Sequence, residues 1–150
     1  MADVLKERIL AIHSAFENDH ELRELKHALS VQLYWEPCLE YCAKLGLQLP
    51  ISKAVLFDTL IQHGDGNDPD SLGAILSSVD INAEEDETAW LSEFLYHRQN
   101  ILEHAYNQEI REVWKESRVR VEALRQLLGE NPQLEGSVVI GTERLEALVD

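Results

Sequence analysis

The sequence predicts an all-α fold, and three observations carry that prediction. Apolar residues recur at three- and four-residue spacing along most of the chain. The interruptions fall at Gly, Pro, Asn and Asp, the residues that cap and stop helices. Only Ser137 to Ile140 has a β-prone composition, too little for a sheet. At 150 residues the chain reads as one domain over 1–150, long enough to bury a core without staples.

The elements follow in order. Residues 3 to 17 put Val4, Leu5, Ile9, Ile12 and Phe16 on one helical face. Asn18 and Asp19 interrupt, and a second helix runs from about Glu21 to Tyr34 with Leu22, Leu25, Leu29 and Leu33 in register. "WEPCLEYCAKLGL" reads as a separate helix started by Pro37 and ended by Gly46. "ISKAVLFDTLIQHG" is apolar almost all round, which predicts the central buried helix, stopped at Gly64. In "DGNDPDS" Gly64 and Gly66 permit positive φ, Pro69 lies near the next helix start, and Asp68 or Asp70 caps it. A short helix to Ser78, the acidic linker "INAEEDE" and the amphipathic helix "TAWLSEFLYHRQNILEHAY" come next. "EIREVWKESRVRVEALRQLLGE" reads as one last helix ending near Gly129.

Charge narrows the function classes. There are 28 acidic and 13 basic residues, a net charge of −15. Such a surface repels phosphate backbones and anionic lipid, which argues against nucleic-acid and membrane roles; it would attract a cationic partner, or it serves only to keep the protein in solution. Cys38 and Cys42, four apart on a helix, suit two packed free thiols better than a disulfide or a zinc site. The charged, amphipathic N-terminal stretch resembles neither a signal peptide nor a membrane span, so the chain as written is expected in the cytosol.

Two metal patterns fail on geometry. His13, His20 and His27 stand seven apart, and on a helix each step rises about 10.5 Å, too far to share an ion. Counted as a calcium loop from Asp65, position five is Pro69 and position six is Asp70, where an oxygen ligand and a Gly are required. Nor do the glycines cradle phosphate, since no Lys-Ser/Thr follows and carboxylates surround them. No cofactor or metal is expected.

Polar residues in apolar settings are more informative. Asp58 lies inside "AVLFDTLI", where a lone carboxylate is costly to bury. Arg98 ends "WLSEFLYHR" and Arg120 lies in "WKESRVRVEAL". Arg holds a buried carboxylate best, so Asp58 is expected to pair with Arg98, or with both arginines.

"LFDTLIQHGDGNDPDSLGAI" closely resembles the signature of bacterial chitosanases of glycoside hydrolase family 46, Tyr-Asp-x-x-Ile-Gln-His-Gly-x-Gly-x-Asp-Pro-Asp-Ser. "NDHELR" and "YWEP" before it, and "WLSEFLYHR", "WKESRVRVEAL" and "NPQLEG" after it, agree in order and spacing. The resemblance runs from about residue 18 to about 140 and matches roughly the C-terminal half of such an enzyme. It implies a helical bundle like one lobe of the lysozyme-like chitosanase fold, with at most a short β patch near 137–140. Those secreted enzymes cut chitosan, a β-1,4-linked glucosamine polymer, with inversion. By resemblance Asp58 is the family's buried Asp, Arg98 the Arg bonded to it, and Arg120 a second Arg behind the catalytic acid, with Arg118 the competing match. Glu109 falls where the family has a sugar-binding Asp.

Inverting hydrolysis needs an acid and a base about 6.5–9.5 Å apart. In the family both come from the first half, the base near an Asp-Gly-Arg-Gly turn that this chain lacks. "SAFEN", residues 14 to 18, resembles the acid-bearing helix, with Glu17 as the acid; the alternative is that Glu17 is a chance surface residue. No base is identifiable. Three functions are therefore compatible with the sequence. The first is a chitosanase-like domain that binds chitosan or glucosamine oligomers without hydrolysis, with self-association covering the face of the missing lobe. The others are a minimal chitosan hydrolase using Glu17, and a helical interaction or scaffold protein on a remnant of the fold.

Overall fold

The computed structural model describes residues 2–14, 20–66, 68–115, 117–136, 138–140 and 143–145; side chains are described over 4–12, 32–66, 68–111, 114 and 117–136. Seven helices are described: α1 Ala2–Ser14, α2 His20–Leu45, α3 Pro50–His63, α4 Leu72–Ser78, α5 Glu87–Glu103, α6 Gln108–Lys115 and α7 Arg118–Glu130. Two short strands follow, β1 Val138–Ile140 and β2 Glu143–Leu145. The all-α expectation holds, and α3 packs against α1, α2, α4 and α7 at the centre.

Why α3 sits there follows from its sequence. Ile51, Val55, Leu56, Phe57 and Leu60 are all fully buried, and each such side chain contributes about 1.5–3 kcal/mol on leaving water. Pro50 fits the first turn, where its missing N–H costs nothing. The donors exposed just before the helix are taken by Glu87 at the start of α5. Its carboxylate accepts from Gln48 N at 2.9 Å and Leu49 N at 2.7 Å, and from the Ser52 hydroxyl. At the other end Gly64 turns the chain out with φ 79°, and its N–H reaches Leu60 O at 2.9 Å. That conformation disfavours any residue with a Cβ.

Four expectations are corrected. Pro37 does not start a helix: α2 runs through it from His20 to Leu45. The bond Pro37 cannot give belongs to the carbonyl four residues back, on Leu33, which is 55% exposed rather than on the packed face. Second, the segment expected as one last helix is two, α6 and α7. Without Gly or Pro, the break is made by tightened turns, Ser117 N to Trp114 O at 2.9 Å and Arg120 N to Ser117 O at 3.0 Å. Third, Pro69 is not in the first turn of α4, whose N-cap is Ser71, and Gly66 does not have positive φ. Fourth, the β-prone patch does pair: Val138–Ile140 lies antiparallel to Glu143–Leu145 with Val139 opposite Arg144. Three β-branched residues suffice for a ladder once a partner lies a few residues on. Ser137 lies outside the described residues.

On α1, Ile9, Ile12 and also Leu10 are buried, while Phe16 lies outside the described residues. Arg8 is buried on the same helix and donates to the carbonyls of Leu134 and Gly136, binding the segment after α7 to α1. Cys38 and Cys42 are free, buried thiols.

Candidate functional site

The site is built outward from the middle of α3. Along α5 the buried residues Trp90, Leu91, Phe94, Leu95, Arg98 and Leu102 form one face, so the helical period itself drives Arg98 into the core. There it meets Asp58, which is only 2% exposed. Arg98 Nη2 donates to Asp58 Oδ2 at 2.7 Å, and Arg120 Nη2 from α7 donates to Asp58 Oδ1 at 2.9 Å. The sequence thus places three residues from three helices together as its pattern suggests. The alternative match, Arg118, lies away from them, 55% exposed, pairing with Glu103 at 3.6 Å and Glu122 at 3.4 Å.

The network continues along α3 in a direction sequence reasoning missed. Arg98 Nη2 also donates to Gln62 Oε1 at 2.8 Å, and its Nε donates to His63 Nε2 at 3.2 Å. Because Nε2 accepts, His63 carries its proton on Nδ1 and donates it to Asp70 O at 2.9 Å. Burial, and then the Arg98 charge, push His63 down to about 3 and so hold it neutral. The signal was present: Asp58, Thr59, Gln62 and His63 fall on one side of a mostly apolar helix.

His63 links this network to a groove. Its ring packs edge-on against Trp114 of α6, with centroids 4.7 Å apart. The groove, about 620 Å³, is lined by His63, Asp68, Pro69, Asp70, Tyr106, Asn107, Ile110 and Trp114. It contains two carboxylates, two aromatic rings besides His63, and neither Lys nor Arg. Glu109 is exposed in the first turn of α6, between the lining residues Asn107 and Ile110.

Asp68, Pro69 and Asp70 of the loop after α3 form one wall. Asp68 Oδ1 accepts from Asp70 N at 3.0 Å, and the Ser71 hydroxyl donates to Gly66 O and Asp68 O at 2.7 Å each. Tyr41 of α2 donates its hydroxyl to Asp65, a bond that pushes the phenol up to about 12. Neither Asp68 nor Asp70 caps α4, contrary to expectation: Asp70 reaches the other wall, accepting from Tyr106 N and Asn107 N. Among the described residues no group of His, Cys, Asp and Glu is arranged to hold a metal ion. Glu17 and the side chains of His13, His20 and His27 lie outside the described residues.

The comparisons with known proteins agree with this frame. A family model described as glycosyl hydrolase family 46 matches residues 3–136. The chain is 37% identical over 120 residues to a chitosanase of Bacillus subtilis (strain 168), covering 76% of this chain and 43% of that protein. Among solved structures, the Gynuella sunshinyii family 46 chitosanase in complex with chitotetraose superposes with a TM-score of 0.73 at 31% identity. That match covers 88% of this chain and 58% of the other. A single-site variant of the Bacillus subtilis MY002 chitosanase complexed with 6 GlcN gives a TM-score of 0.72 at 32% identity, covering 89% and 60%. This chain therefore belongs to glycosyl hydrolase family 46, and its all-α frame is that of the lysozyme-like chitosanases. It spans about half the length of the relatives it matches. The match begins at residue 3, so it takes in the stretch around Glu17.

Proposed function

We propose that this chain is a glucosamine-oligomer-binding domain of the chitosanase family that does not hydrolyse its ligand alone. The observation that supports it most is the groove beside His63, with Tyr106 and Trp114 as faces for sugar rings and carboxylates but no cation in its lining. A glucosamine polymer carries ammonium groups on an amphipathic ring, so it gains from both features. The net charge of −15 acts in the same direction at longer range. Glu109 adds an exposed carboxylate beside the groove.

Absence of hydrolysis rests on how the described carboxylates are used. Asp58 is buried between two guanidinium groups, and Asp70 is taken up by two backbone amides. Neither can exchange a proton with a glycosidic oxygen or a water. Among the described residues that leaves Asp68 in the lining with Glu109 beside it, whereas inversion needs an acid and a base on opposite sides of the scissile bond.

The test is calorimetric titration of glucosamine tetramer and hexamer, alongside a reducing-sugar assay on chitosan. Saturable binding without hydrolysis is expected, and Trp114→Ala should weaken it about tenfold by removing one ring face. No heat from either oligomer overturns the reading. Hydrolysis that disappears in Glu17→Gln replaces it with a minimal hydrolase using that acid.

A further inference from the structure

Asp70 is 7% exposed, and among the described residues its carboxylate is held by backbone amides rather than by a guanidinium or ammonium group. Oδ1 accepts from Tyr106 N at 2.6 Å and Oδ2 from Asn107 N at 2.9 Å, two successive amides held by the two oxygens of one carboxylate. Both bonds cross from the loop after α3 to the loop before α6. The effect extends into α6, because Asn107 Oδ1 accepts from Glu109 N at 3.0 Å and Asn107 O from Ile110 N at 3.3 Å. On the other side, the Asp70 carbonyl receives the Nδ1 proton of His63, whose ring lies against Trp114. Meanwhile Tyr106, whose backbone is held this firmly, is as a residue 75% exposed on the groove lip. A fixed backbone under a solvated aromatic is arranged to present that ring rather than to bury it.

We propose that Asp70 is a positioning residue of the groove: its carboxylate sets the Tyr106–Asn107 rim and the first turn bearing Glu109, while its carbonyl orients the His63–Trp114 wall. This rests on the groove being the oligomer site. Asp70 touches no sugar; it governs affinity by holding both walls at a fixed separation, which removes the ordering cost from binding. Each oxygen faces one amide, Oδ1 towards Tyr106 N and Oδ2 towards Asn107 N, so replacing either by a donor opposes one N–H and costs that bond.

Two variants separate position from charge. Asp70→Asn keeps the shape, loses the charge and turns an NH2 towards one of the amides. Asp70→Glu keeps the charge and moves the carboxylate by one methylene. For both, affinity for glucosamine tetramer is measured by calorimetry well below the melting temperature, and the Tyr106 and Asn107 amides are followed by NMR hydrogen exchange. Both variants should bind about tenfold more weakly than the wild type, with faster exchange at those two amides. Wild-type affinity in Asp70→Glu with weakened Asp70→Asn assigns the effect to charge and overturns the positioning role. Unchanged affinity in both variants, or unchanged exchange at the two amides, overturns it as well. Should wild type itself fail to bind, the reading of the groove falls and the role of Asp70 with it, a result distinct from the variant outcomes.

Discussion

Asp58, in the middle of α3, and Asp70, in the loop that follows, are both buried carboxylates, at 2% and 7% exposure, yet they are satisfied in opposite ways. Asp58 is held by guanidinium groups from α5 and α7, Asp70 by backbone amides of the loop before α6. The first arrangement joins helices, and removing one partner strands a full charge in an apolar interior. The second joins loops, and removing it leaves only neutral donors, which water can reach at a groove edge. The molecule thus keeps its costlier interaction in the core and its less costly one at the groove, where ligand contact is expected.

The largest effect that can break this comparison is at Asp58. Asp58→Asn should lower the unfolding free energy by about 3–5 kcal/mol, whereas Asp70→Asn should cost about 1–2 kcal/mol. Urea denaturation of both variants decides it, and equal losses would mean that the two acids play the same role. Next comes pH. His63 is held down to about 3 against an ordinary 6.5, so between those values the unfolded chain binds the extra proton. Its contribution is complete above about 6.5 and is lost as pH falls towards 3, at about 1.4 kcal/mol per pH unit. Stability curves of wild type and His63→Gln should converge towards acid pH; parallel curves would show that His63 is not buried neutral. The smallest effect sharpens the choice between neighbouring arginines: Arg118→Ala, in an exposed pair, should change stability by less than about 0.5 kcal/mol. A melt of Arg118→Ala as damaged as Arg120→Ala would reverse their assignment.

Much of the core was legible because a charged residue at an apolar helical position demands a partner, and only a few arginines were placed to provide one. Asp58, Arg98 and Arg120 are visible on that argument, as is the stop at Gly64. His63 was within reach, since it shares the polar side of α3 with Asp58 and Gln62, but surrounding apolar residues masked the stripe. The role of Asp70 was not within reach. Its amide partners lie 36 and 37 residues away, and backbone donors leave no trace in side-chain identity. Local propensity was misleading in both directions: Pro37 marks an end that α2 does not take, and the α6–α7 break falls where no Gly or Pro marks one.

The Asp58 bonds span 40 and 62 residues of sequence. During folding the carboxylate must therefore stay hydrated until α5 and α7 have both arrived. Any docking that slips a helix by one turn seals that oxygen pair in hydrocarbon without its guanidinium groups, and the misassembled chain reopens. A carboxylate that one docking of α5 and α7 satisfies would disfavour the alternatives that apolar packing alone accepts.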